Sequence, residues 1–255
     1  MSTPLLAADR VTVALGGRVV LEGATLALRA GERLAIVGPN GAGKTTLIRA
    51  FAGLERPKEG AVTLDGVPLA GVAPRARARR IGYLPQGHVF HWPLPVADVV
   101  ALGRLPHGAG SAADRDAVAA ALAATDLEAF ADRPVTTLSG GERARVAIAR
   151  VLAGAPAVIL ADEPIAALDL RYQLVVLDLL ARHAAAGGAV AVVLHDLGLA
   201  ARFADRIVVL DRGRIVEDGP AEAVLTPERL AATFGVSAAV ERRNGRLVVI
   251  ADQPA

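Results

Sequence analysis

The 255-residue chain has no cysteine. Structural disulfides, thiolate zinc sites and cysteine nucleophiles are therefore excluded, and a reducing compartment fits. Long hydrophobic runs are missing too: the longest, residues 184–194, is eleven residues with two glycines inside it, against the roughly 20 that span a bilayer. No membrane crossing is expected. Met1-Ser2-Thr3-Pro4, with Asp9 and Arg10 close behind, lacks the basic start and apolar centre of a secretory signal, so a cytoplasmic location is expected. Lysine is scarce, Lys44 and Lys58 against 26 arginines, a skew we read as genome composition. An excess of one charge is absent as well: 28 basic and 26 acidic residues favour neither nucleic acid nor another polyanion as partner. A chain 53% hydrophobic and 21% charged folds rather than staying disordered, as one large domain or two closely fused ones.

Residues 11–15 and 18–21 flank Gly16-Gly17, a two-residue turn tolerant of positive φ, which predicts a β-hairpin opening an antiparallel flap. Residues 34–37 are a short continuous apolar run that enters a glycine-rich loop, as expected of a strand buried on both faces. A helix is predicted from residue 44 to about residue 52, ended by Gly53. Two further runs, 158–161 and 189–194, end in Asp162-Glu163 and His195-Asp196. Their repetition predicts a parallel α/β sheet, in which ligands bind beyond the carboxyl ends of the strands. From about Gln86 to Ala155 the chain is Ala-rich and helix-favouring, broken by Gly108-Ala109-Gly110 and Arg133-Pro134, which predicts a helical insertion. Residues 207–210 and 214–217 around Asp211-Arg212-Gly213 predict a second hairpin.

Gly38-Pro39-Asn40-Gly41-Ala42-Gly43-Lys44-Thr45 fits the phosphate-loop pattern G-x-x-x-x-G-K-[ST] between that strand and that helix. Glycines let backbone N–H groups converge on a phosphate at a helix N-terminus, Lys44 adds a cation, and the Thr45 hydroxyl can hold Mg²⁺. Thr46 completes the expected ATP-binding stretch. A nucleotide loop needs a carboxylate for the metal and a group that orients or deprotonates water; Asp162 and Glu163 suit these two tasks. In Leu138-Ser139-Gly140-Gly141-Glu142, Ser139 and Glu142 form a capping box that starts a helix reaching Leu152. Its two glycines expose N–H groups beside a serine hydroxyl, a second anion site.

Together with Gln86 of Tyr83-Leu84-Pro85-Gln86, the run 158–164, Ala167-Leu168-Asp169 and His195, these motifs resemble, in order and spacing, the nucleotide-binding subunit of ATP-binding cassette (ABC) transporters over roughly residues 5 to 225. The resemblance implies an α/β P-loop NTPase: a RecA-like parallel core sheet with an N-terminal antiparallel β flap and an inserted helical subdomain. Residues 1–86 and 156–240 would form the ATP-binding core, 87–155 the helical signature subdomain and 241–255 a short C-terminal tail. It implies Mg²⁺-dependent ATP hydrolysis, with Glu163, His195 and Gln86 catalytic, and Thr45, Gln86 and Asp162 at the metal. A head-to-tail homodimer is implied, each ATP lying between one chain's residues 38–46 and the other's 138–142, with Asp169 communicating across the dimer. The implied partners are integral membrane permease subunits and, in the wider system, a periplasmic or extracellular substrate-binding protein. The chain would sit on the cytoplasmic face of the inner membrane, held by the permease, and no nucleic acid is expected.

Leu15 stands where the family usually places an aromatic that stacks on adenine, Ile165 and Ala166 replace small hydroxyl residues, and Ala161 replaces a bulkier aliphatic; slower or faster turnover is expected, not its loss. Residues 96–107 and 225–236 resemble the ATPase subunits of bacterial importers of iron–siderophore complexes, haem and cobalamin, so uptake of a metal chelate is expected. Zinc and manganese importers share part of this pattern, and a soluble cassette working as an ATP-driven clamp is the alternative outside transport. Trp92, the chain's only tryptophan, is either an exposed anchor for the permease or packed in the insertion. The basic run 75–80 is expected to be a solvated face rather than a lipid contact.

Overall fold

The computed structural model describes residues 3–87, 89–108, 110–166, 168–243 and 246–254. The predicted hairpin opens the chain: β1 (Leu6–Leu15) and β2 (Arg18–Leu28) run antiparallel about Gly16-Gly17. After β3 (Arg33–Val37) and the phosphate loop comes α1 (Lys44–Phe51). Next, β4 (Glu59–Leu64) and β5 (Val67–Pro68) return to the hairpin and complete a four-stranded sheet in the order β2-β1-β4-β5. Through α2 (Pro74–Arg80) the chain reaches β6 (Ile81–Leu84). Strands β4 to β6 escaped sequence-based reading because little of each is buried, Val62 and Leu64 in β4, Ile81 and Leu84 in β6.

The insertion is helical as predicted, with α3 (Val96–Ala101), α4 (Ala112–Ala124) and α5 (Gly140–Ala153). Val96, Val100, Leu127, Val135, Leu138 and Val146 give it an apolar cluster of its own. Capping boxes Ser111/Asp114 and Ser139/Glu142 start α4 and α5, each satisfying two otherwise orphaned N–H groups. The Ala167 position of the expected motif 167–169 lies outside the described residues, as does His88.

The chain then returns to the core with β7 (Val158–Asp162), α6 (Leu170–Ala185), β8 (Ala189–Val193), α7 (Leu197–Phe203), β9 (Arg206–Asp211) and β10 (Arg214–Gly219). A six-stranded sheet results, order β10-β9-β3-β8-β7-β6, parallel except for β10 at its edge. Alternate residues explain why these runs read as continuously apolar. Leu34, Ile36, Leu160, Ala191 and Val208 face the flap and α1, while Ala35, Val37, Ile159, Val192 and Ile207 face the second apolar cluster, with α5 and α6. The strand order brings the carboxyl ends of β3, β8, β7 and β6 side by side, and each carries one part of the site.

After α8 (Ala221–Val224) and α9 (Pro227–Phe234), β11 (Val236–Arg243) and β12 (Arg246–Pro254) pair as an antiparallel hairpin. Residue 240, the expected end of the core, lies inside β11, and the tail expected from 241 carries the end of that strand and β12, which pairs with it. Val236, Val240, Leu247 and Val249 pack beside Leu197 and Leu199 against the second cluster. That burial is long-range and leaves no local signal beyond a partial alternation.

Candidate active site

The phosphate loop links β3 to α1. Gly38, at φ 149°, lies so close to the β9 backbone that a Cβ would stand 2.1 Å from the Leu210 carbonyl oxygen; no other residue fits there. Gly43, at φ 99°, caps α1 without a side-chain hydrogen bond, so the N–H groups of the first helical turn stay open. Lys44 is buried and donates from Nζ to the carbonyls of Gly38 and Pro39, both at 2.8 Å. Burial holds its ammonium below the ordinary lysine value, and Glu163 and Asp162 pull the other way. A cleft of about 680 Å³ opens here, lined by Asn40, Gly41, Ala42, Gly43, Lys44, Thr45 and Thr46, with Gln86, Glu163, His195 and Val20.

Asp162 ends β7 at 1% exposure, and neither carboxylate oxygen has a hydrogen-bond partner of good geometry. Burial pushes its pKa above the ordinary value, and the neighbouring Thr45 hydroxyl opposes that rise. Buried, unpartnered oxygens beside a threonine hydroxyl suit a divalent cation completed by substrate phosphates and water. Glu163, next in the chain, takes φ 52°, a left-handed conformation that costs a non-glycine residue about 1–2 kcal/mol. Its carboxylate is held at both ends: Gln86 Nε2 donates to Oε2 at 2.9 Å, and His195 Nε2 contacts Oε1. Gln86 follows β6 and His195 follows β8, so the flanking strands deliver both partners.

The segment 138–142 is not brought to this cleft. Leu138 is buried in the insertion, while Ser139 and Gly140 are exposed at the start of α5. Ser139 N–H donates to Glu142 Oε2 at 2.7 Å and the Glu142 N–H returns to Ser139 Oγ at 3.3 Å, holding the Glu142 carboxyl below its usual range. Asp169 also stands apart, capping α6 by accepting from the Tyr172 N–H at 3.0 Å. One chain therefore presents the cleft and, separately, the exposed, capped start of α5.

A family model described as ABC transporter matches residues 21–166. The chain belongs to the ABC transporter family. It is 48% identical over 250 residues to the hemin import ATP-binding protein of Streptomyces coelicolor, covering 96% of this chain and 89% of that one. A hemin import ATP-binding protein of Pseudomonas aeruginosa is 46% identical, covering 95% and 97%. Among solved structures, an inward-facing metal-chelate type ABC transporter aligns with TM-score 0.83 at 26% identity over 99% of this chain and 98% of that one. A cassette dimer in a post-hydrolysis state with ADP and phosphate aligns with TM-score 0.77 at 31% identity, covering 85% and 98%.

The departures from the ABC pattern fall around the cleft rather than in it. Leu15, at the expected adenine-stacking position, is 40% exposed and does not line the cleft; Val20, which sequence reasoning missed, does. No motif contains Val20; it reaches the cleft because β2 passes against the phosphate loop, with the Val20 carbonyl facing Gly43. Ile165 and Ala166 line a small cavity next to Glu163 and His195, and Ala161 is buried within β7. Trp92 is 74% exposed and Val89 75%, which settles the choice between packing and exposure. In the basic run, Arg75 and Arg79 both donate to the Pro106 carbonyl, at 2.8 and 2.7 Å, and Arg80 pairs with Asp65. Their exposed face thus also ties α2 to the insertion.

Proposed function

We propose that this chain is the ATPase subunit of a hemin importer, working as a head-to-tail dimer on a membrane permease. The observation that supports it is the split site: the cleft gathers the phosphate loop, Gln86, Glu163 and His195, while Ser139 and its helix end stay outside, available to a second copy. On ATP entry Lys44 exchanges the Gly38 and Pro39 carbonyls for phosphate oxygens, and the open N–H groups of α1 hold the phosphates. Asp162, Thr45 and Gln86 would hold Mg²⁺, which when bound neutralises charge on the phosphates. Glu163 takes a proton from the water that attacks the γ-phosphorus as the bond to the ADP oxygen breaks; both its oxygens keep a free lone pair beside Gln86 and His195. His195 also reaches the γ-phosphate. Ser139 with the Gly140 and Gly141 amides of the second copy closes the other side, and Asp169 meets that copy at the same face.

The cargo assignment rests on the hemin import relatives, and the exposed Trp92 and Val89 supply an apolar anchor for the permease at the cytoplasmic membrane face. No helix among the described residues is long and apolar enough to cross a membrane, so attachment would be peripheral. The decisive measurement is ATP-driven hemin uptake into vesicles carrying this chain with its permease and substrate-binding protein. Glu163→Gln is expected to keep ATP binding while lowering turnover ~10² to 10⁴-fold and abolishing uptake. Wild-type turnover in that variant would remove Glu163 from its role, and uptake of another cargo in place of hemin would overturn the substrate.

A further inference from the structure

Arg145 lies on α5, less than two turns beyond Ser139, and is only 6% exposed. Its Nη1 donates to the Thr125 and Asp126 carbonyls at the end of α4, at 2.8 Å each. The guanidinium carbon sits 4.2 Å from the centre of the Tyr172 ring. Tyr172 belongs to the first turn of α6, where its N–H is bound by the Asp169 carboxylate. Arg171 lies 5.3 Å from the same ring and 3.9 Å from the Asp126 carboxylate. Burying a guanidinium is costly unless it is paired; this one is held by two carbonyls and an aromatic face, with the Glu142 carboxylate one turn back adding opposite charge, while its Nε has no hydrogen-bond partner among the described residues. An apolar side chain could fill the same space but would leave the Thr125 and Asp126 carbonyls without these donors, so the guanidinium does more than fill volume.

The task is visible in what the contact joins. One side is the helix capped by Ser139, part of the insertion; the other is the helix capped by Asp169, part of the core. We propose that Arg145 and Tyr172 are positioning residues that lock these two helix starts into one rigid surface, so that Ser139 and Asp169 reach the second copy together. A stacked, hydrogen-bonded guanidinium fixes orientation as well as distance, which a greasy contact would not. The inference rests on the head-to-tail reading.

Tyr172→Phe keeps the aromatic face, and the Tyr172 hydroxyl makes no hydrogen bond among the described residues; wild-type kcat and KM are expected. Tyr172→Leu keeps apolar volume and loses the face. It is expected to lower kcat about tenfold with unchanged ATP affinity of the single chain, measured at protein concentrations too low for dimers. Arg145→Lys, which retains charge without the planar fork, is expected to match Tyr172→Leu and guards against misfolding of either variant. In a Glu163→Gln background, sedimentation should show ATP-driven dimers that Tyr172→Leu weakens about tenfold and Tyr172→Phe leaves intact. If Tyr172→Leu and Arg145→Lys lower only the melting temperature, with kcat and dimerisation unchanged, the contact is packing and the proposal fails while the dimer reading stands. If Glu163→Gln alone never dimerises with ATP, the head-to-tail reading fails and this proposal with it.

Discussion

Asp162 is a carboxylate that the fold tolerates at a cost. Because burial raises its pKa in the folded chain, the folded state holds the proton more tightly than the unfolded state. The stability linked to that proton is present at low pH and is lost as pH rises through the folded value. Asp162→Asn is therefore expected to melt higher than wild type at neutral pH without ligand, the gap shrinking as pH falls through the raised folded value and closing near the ordinary carboxylate value. With Mg²⁺ and ATP the order is expected to reverse, since only the carboxylate suits the cation. Melting curves with and without both ligands test this; a variant less stable than wild type at neutral pH without ligand would refute it. Glu163 shows a different kind of cost, a left-handed backbone that turns its side chain toward Gln86 and His195.

Helix α4 is secured at one end by Asp114. Its carboxylate accepts from Arg104 Nε at 2.7 Å and from the Ser111 hydroxyl and N–H at 2.7 and 2.9 Å. The Arg104 bond, then those from Ser111, push its pKa down to about 2. A depressed acid stabilises the fold above its unfolded pKa and loses that contribution as pH falls through the folded one, here from about 4 to about 2. Asp114→Asn is expected to lower the urea midpoint at pH 7, with the difference from wild type closing between those pH values. A difference that stays constant across that range would rule out the charge as its source. The capping box of α5 was legible as Ser-x-x-acid spacing, but the link from Arg104 to Asp114 was not, because Arg104 reaches Asp114 from the preceding turn through burial.

Assembly makes its own prediction. If each ATP is shared between residue 44 of one copy and residue 139 of the other, neither Lys44→Ala nor Ser139→Arg homodimers contain an intact site. Mixing the two variants creates dimers in which one site carries both lesions and the other carries none. An equal mixture should recover up to about a quarter of wild-type ATPase sites, half the dimers with one of two sites intact, as a two-fold head-to-tail pairing requires. Mixed variants as inactive as either alone would exclude a shared site. Within one chain the same logic explains the cleft: four adjacent strand ends carry Gln86, Asp162 with Glu163, His195 and the phosphate loop.

Local patterns in the chain were enough for the phosphate loop, the buried strands β3, β7 and β8, both sequence-legible hairpins and the capped start of α5, because backbone conformation and burial on both faces leave marks within a few residues. Strands β4 to β6, the β11–β12 hairpin, Val20 in the cleft and the Arg145–Tyr172 stack were decided only by the folded chain. Each depends on groups far apart in sequence meeting across the core, and such meetings are set by packing, which no short run of residues records.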